Sequence, residues 1–220
     1  LNNLYLDFDM PKTNASTFFT DEEKRRIEAA VQTAEKRTSG EIVPMVVDSA
    51  YHYPSAEILG AGLFSLALGV TLSWAFGGSS VWVFLSVFVL AYFPFKMLIR
   101  YLHPLKRRLL HPVEIAAEVE EKALVSFLEK GLHHTRDHTG VLILVCLFER
   151  RVHVLADRGI NAVVPPATWK EIVVTVTEGI RRGNSCEALC AAIGRCGDLL
   201  EKHFPIKADD TDELPNLILD

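Results

Sequence analysis

Two long uncharged stretches constrain this chain more than any other feature. Ile58 to Phe76 (ILGAGLFSLALGVTLSWAF) runs for 19 residues without a charge. After Gly77-Gly78-Ser79-Ser80, a second run from Val81 to Phe95 (VWVFLSVFVLAYFPF) continues through KMLIRYL. Each is about as long as a helix that crosses a hydrocarbon core of roughly 30 Å. A helix packed on a globular core keeps a polar face, and neither segment has one. Trp74 and Trp82 flank the short connection, where interfacial aromatics belong, and Pro94 is placed to kink the second span near its end. The expectation is a transmembrane hairpin over residues 58–102.

Basic residues set its orientation. Lys96, Arg100, Lys106, Arg107 and Arg108 crowd the exit of the second span, whereas the connection carries none. Positive-inside logic places that exit in the cytoplasm, and two crossings return the entrance to the same side. The sequence thus predicts a bacterial-type inner (plasma) membrane protein with two spans and a cytoplasmic soluble part. No signal-peptide pattern follows Leu1. The formal charge of −5 gives no broad electrostatic case for nucleic acid. Cys146, Cys186, Cys190 and Cys196 suggest no disulfide framework, since Cys146 lies in an apolar strand, Cys186 and Cys190 share one face of a helix and Cys196 lies on another. Reduced thiols agree with a cytoplasmic domain.

The remaining chain reads as one α/β domain split by the hairpin, with parts at 18–57 and 103–205, an N-terminal extension over 1–17 and an acidic, disordered tail over 206–220. Thr20-Asp21-Glu22-Glu23 is a capping box, followed by Ile27, Ala30, Val31 and Ala34 at helical spacing until Ser39-Gly40. Glu41 to Asp48 (EIVPMVVD) reads as a strand, and Pro44 argues for an edge position or a bulge. Pro112 opens a second helix, with Val113, Ala116, Leu124, Phe127 and Leu128 as its stripe, reaching about His134. Val141 to Phe148 is apolar without alternation, the pattern of a central strand covered on both faces. Val152 to Asp157 forms a hairpin with it. Since Glu149-Arg150-Arg151 lacks the Gly or Asn of a two-residue turn, the connection is a longer loop or bulge. Pro165-Pro166 opens a helix closed by Gly183, and Ser185 caps a last helix to His203. The result is a small mixed sheet sandwiched by helices, an α/β/α fold.

Strand parity puts Arg151, His153, Leu155 and Asp157 on one face of the third strand. With the first two strands parallel and the third antiparallel, Glu41, Gly140, Asp157 and Arg158 fall at one sheet end. Asp48, Glu149, Arg150 and Arg151 fall at the other. His133, His134 and His138 in HHTRDHTG either bind a transition metal or form a polar helix exit. The sequence has no Gly-rich phosphate loop, nucleophile elbow or HExxH motif.

These elements in this order resemble the TPM-domain family, in its membrane-anchored form with an inserted transmembrane pair. The resemblance rests on Phe19-Thr20-Asp21-Glu22-Glu23-Lys24, Glu35 to Ile42 (EKRTSGEI), Thr139-Gly140-Val141-Leu142-Ile143, Glu149-Arg150-Arg151-Val152, Ala156-Asp157-Arg158-Gly159-Ile160 and Trp169. It spans about Phe18 to Pro205. It implies an α/β/α domain and two readings of function, because some members have acid phosphatase activity with a divalent metal and others assemble or maintain membrane complexes. In the first reading Glu41 and Asp157 hold Ca²⁺ or Mg²⁺, and Arg151 or Arg158 holds phosphate near a catalytic Asp157. In the second the tethered domain binds a protein partner or complex at the membrane. The chain departs from the soluble members' pattern, with Leu155 at a glutamate position, Asp157 at a glycine, and Ala162-Val163-Val164-Pro165 where an acidic residue is usual.

Overall fold

The structure, a computed structural model, describes residues 14–76, 81–206 and 214–220. The 77–80 connection, most of the N-terminal extension and the acidic run of the tail at Asp209–Glu213 lie outside the described residues. In chain order the elements are α1 (Ala15–Phe18), α2 (Asp21–Glu35), β1 (Glu41–Val47), α3 (Pro54–Ala75), α4 (Val81–Tyr101), α5 (His103–Arg108), α6 (Pro112–Glu129), β2 (Gly140–Cys146), β3 (Arg151–Ala156), α7 (Arg158–Asn161), α8 (Pro166–Arg181), α9 (Ser185–His203) and β4 (Ile218–Leu219). Two compact units result: Tyr51–Ala116, and the chain on either side of it.

The sheet of the flanking unit has the order β3-β2-β1-β4. β1 runs parallel to β2 and to β4, and β2 runs antiparallel to β3. Every residue of β1 and β2 is buried, as the unalternating apolar runs require. On one face Ile42, Val46, Val141, Ile143 and Val145 pack into the main core with Ile27 and Val31 of α2, Ile172 and Val176 of α8, and Leu189, Ile193 and Leu200 of α9. On the other face the charges of Glu120 and Lys122 reach His153 and Cys146, which places α6 over that side. The sheet is therefore covered on both faces, an α/β/α sandwich.

Local chemistry accounts for the boundaries. Thr20 accepts from the backbone N–H of Glu23 at 3.3 Å, and Glu23 accepts from that of Thr20 at 2.8 Å, completing the capping box. Gly183 takes a φ of 78° two residues past α8, a left-handed value suited to glycine. Pro44 does not end up on a bare edge. Val46 and Asp48 turn their backbone groups toward β4, bonding Asp220 at 2.9 and 3.1 Å. Pro44 shares their alternation, so its missing N–H faces that same outer side, and β4 pairs from Met45 onward.

Three expectations need correction. Residues 214–220 of the tail are described and carry β4, with Leu217 just before it and Leu219 within it packed against the core; these apolar side chains outweigh the acidic composition before them. α6 ends at Glu129, and a 3₁₀ turn at Leu132–His134 follows Gly131, which has a φ of 79°. The buried stripe of α6 is Ile115, Val119, Ala123 and Phe127, while Val113, Leu124 and Leu128 are exposed. α6 carries two apolar stripes, and the one spaced by i, i+4 is buried. In addition, Asn184 rather than Ser185 stands at the N-cap of α9.

In the unit Tyr51–Ala116, α3 and α4 are 22 and 21 residues long, and both are long and apolar enough to cross a membrane. They pack through small residues of α3: Ala61, Ser65 and Gly69, spaced by four, are buried, and a Cβ on Gly69 would meet the Phe84 ring at 3.0 Å. Pro94 lies inside α4. Lys106 of α5 is buried, with its ammonium 2.7 Å from Glu57 Oε1 near the start of α3 and donating to the carbonyl of His52.

Candidate functional site

One end of the sheet is assembled by the two Thr-Gly sequences that precede β1 and β2. Thr139 donates its hydroxyl to the Ser39 carbonyl at 2.9 Å, and the Glu41 N–H donates to the Thr139 carbonyl at 3.2 Å. Thr38 reaches the Phe204 carbonyl at 2.6 Å. Glu41 and Gly140 are register partners across β1 and β2, and the Asp157 N–H closes on the Gly140 carbonyl at 2.9 Å. Glu41, Gly140 and Asp157 therefore share this end, as the strand directions predict. Gly159 is required there, because a Cβ would meet the His138 and Asp137 carbonyls at 2.6 and 2.8 Å.

Asp157 stands at the N-cap of α7, with Oδ1 accepting from the Arg158 backbone N–H at 2.6 Å. Its Oδ2 lies 3.4 Å from Nδ1 of His138. The Arg158 guanidinium contacts Nε2 of the same ring at 2.5 Å. A guanidinium only donates, so Nε2 can serve as its acceptor while Nδ1 faces Asp157. His138 holds this position with a left-handed backbone, φ 56°. The resulting line, Asp157–His138–Arg158, is polar and partly open: the Asp157 side chain is 11% exposed, that of His138 39%, and Arg158 is exposed.

Arg151 is not part of this line. It pairs with Cys146 at the far end of β3, about 20 Å from Asp157 at roughly 3.4 Å per residue. There β2 and β3 join through residues 147–150, with Arg150 N–H donating to Leu147 at 3.3 Å and Arg150 in a left-handed conformation at φ 55°. A longer loop thus replaces the two-residue turn, as expected, with Arg150 in the place glycine would favour. Glu149 is fully buried; Oε1 accepts from the Ser49 hydroxyl at 3.1 Å and the Ala50 N–H at 2.9 Å. This carboxylate ties the hairpin to the chain segment that follows β1.

A hard divalent cation prefers six or more oxygens from clustered carboxylates. Glu41 and Asp157 belong to β1 and to the end of β3, two strands apart, or about 10 Å between backbones. Asp157 already serves Arg158 and His138. Among the described residues no three or more His, Cys, Asp or Glu side chains group so as to hold a metal ion. The rings of His133 and His134 lie against each other at 3.7 Å, while His138 turns to Asp157. The side chains present do not fit Ca²⁺ or Mg²⁺ at this end. What the arrangement offers is a cationic, hydrogen-bonding surface on Arg158 beside the His138 ring.

Burial dominates the titratable groups of the core. It pushes the Cys196 thiol up to about 12 and Cys186 to about 11, the latter helped by neighbouring Cys190. Burial, then Glu149, raises Cys146 well above the ordinary range. None is an activated nucleophile. Burial lowers His153, against the opposing pull of Glu120. Two residues take roles that the sequence reading did not give them. The place of His138 beside Asp157 could have been read from its position directly before Thr139-Gly140, at the sheet end already singled out. For the burial of Glu149 no signal exists in the sequence, because a Glu after an apolar run reads equally as a solvated turn.

A profile of the TPM domain matches residues 111–199. Among solved structures, the BA42 protein from the psychrophilic bacterium Bizionia argentinensis, determined by NMR, is similar at 25% identity and a TM-score of 0.55, over 91% of this chain and 94% of that one. No curated protein matches.

Proposed function

Because this is a TPM-domain protein carrying two long apolar helices, we propose that it is a membrane-anchored interaction or assembly module. Its globular unit works at the cytoplasmic face of a bacterial-type plasma membrane. The observation that carries the anchor is the outward apolar surface of α3 and α4: Leu59 is 68% exposed, Leu90 74%, Trp82 78% and Trp74 86%. In water such a surface is strongly unfavourable, and in lipid it is at home. The basic residues Lys96, Arg100 and Lys106 to Arg108 at the exit of α4 support the cytoplasmic side. Interaction rather than catalysis is supported by the other charged positions, since Glu149 anchors a segment and Asp157 caps a helix.

The test is affinity purification of the tagged full chain from membranes in mild detergent. A stoichiometric protein partner is expected, and recovery of the chain alone contradicts the reading. A second reading, phosphate-ester hydrolysis, is favoured by the exposed Arg158 beside His138 and Asp157. Hydrolysis of a generic phosphate ester, assayed with and without Ca²⁺ or Mg²⁺, would support it. Equal activity in Asp157→Ala would remove Asp157 from that reading.

A further inference from the structure

The second stripe of α6 is left exposed among the described residues. Within the sheet-bearing unit, α6 turns Val119, Ala123, Ser126 and Phe127 inward, all at most 5% exposed. On the opposite side Leu124 is 53% exposed, Leu128 49% and Val125 40%. Ala117, Glu121, Leu124 and Leu128 follow one another at intervals of four, three and four, which is the alternation of a helix–helix seam. At about 100° per residue these four fall within roughly a sixth of a turn of one another. Glu120 borders the seam on one side, and Val125, Glu118 and Glu129 lie on the other. Residues 117–129 span about 20 Å, or three to four turns.

Charge decides what can cover this seam. From 117 to 129 the helix carries Glu118, Glu120, Glu121 and Glu129 against the single Lys122. A second copy of α6 would bring glutamates against glutamates. An anionic leaflet attracts Lys and Arg and repels this surface. A helix with leucine-like residues along one stripe and Lys or Arg on its flanks satisfies both the apolar seam and the acidic border. We propose that the exposed α6 seam is the docking surface for a basic amphipathic helix of a partner protein. The proposal rests on the interaction reading above and names the partner's chemistry.

The probe is a synthetic four-turn helical peptide with Leu at the seam positions and Lys at the flanks, titrated onto the full chain in neutral nanodiscs. A second peptide carries Glu at the flanks. The Lys peptide is expected to bind saturably and at least about tenfold tighter than the Glu peptide. The charge reversal Glu120→Lys/Glu121→Lys should invert that preference, and Leu124→Ser/Leu128→Ser should abolish binding with the circular dichroism unchanged. Equal binding of both peptides, or a preference that survives charge reversal, overturns the proposal. So does self-association of the chain, or α6-dependent binding to anionic vesicles. The two readings fail differently. A stoichiometric partner retained by Leu124→Ser/Leu128→Ser sinks this surface but leaves the interaction reading standing; a chain with no partner sinks both.

Discussion

β2 and α4 are built from the same kinds of side chain and put them to opposite uses. In β2, Val141, Leu142, Ile143, Leu144 and Val145 are all at most 1% exposed, because helices close over both faces. In α4, a helix of 21 residues, Ile99 is the one buried residue, and Trp82, Leu90 and Phe93 turn outward. Burial of a Leu or Phe side chain contributes about 1.5–3 kcal/mol in water. β2 gains this from its own protein, whereas α4 has to find it elsewhere. On the proposed anchoring the two runs sit in different solvents, protein interior for one and lipid for the other.

A charge placed in the apolar helices should break that contrast most severely. Leu66→Arg, on an exposed position in the middle of α3, costs about 2.5–3.5 kcal/mol at a bilayer centre. Most of the chain should then leave the membrane fraction, and quantitative fractionation against the unchanged chain measures it. An arginine placed instead at exposed Ala167 of α8 should leave membrane retention unaltered.

Within the globular unit the two sheet ends differ in the same sense, one closed and one open. Glu149→Ala removes the fully buried carboxylate that accepts from the Ser49 hydroxyl and the Ala50 N–H, at about 1–3 kcal/mol. Denaturant unfolding of the full chain in detergent should show that loss. Asp157→Ala, at the partly open end, removes a cap and should cost about 1 kcal/mol or less. If the two losses were reversed in order, the assignment of the Glu149 end as the structural one would be wrong.

The smallest effect is set by pH. Burial holds His153 below its ordinary value, so the fold favours the neutral ring. The associated stability is present above the unfolded value of about 6.5 and is lost as pH falls through the folded value. Unfolding midpoints should decline across that acidic window, and His153→Gln should flatten the decline. A midpoint that rises on acidification would contradict the sign.

Much of this fold was legible because its signals are local. Thr20 and Glu23 announce a helix start, Gly183 its stop, and the unalternating Val141–Phe148 a doubly covered strand. The hairpin connection without Gly or Asn predicted the longer loop that Arg150 completes. What was missed depends on tertiary choice. α6 offers two apolar stripes, and no periodicity tells which one the sheet takes. β4 follows an acidic run whose composition masks Leu217, Ile218 and Leu219. At the candidate site, strand direction placed Glu41 and Asp157 at one end and Arg151 at the other. It could not show that His138, brought in by a positive-φ backbone, is the partner Asp157 meets.

The central claim is that the outward faces of α3 and α4 lie in lipid. Membranes from cells expressing the full chain, washed with alkaline carbonate and floated on a density gradient, test it most directly. The account predicts that the protein resists the wash and floats with the lipid. Release into the aqueous fraction as a monodisperse, detergent-free protein would contradict it.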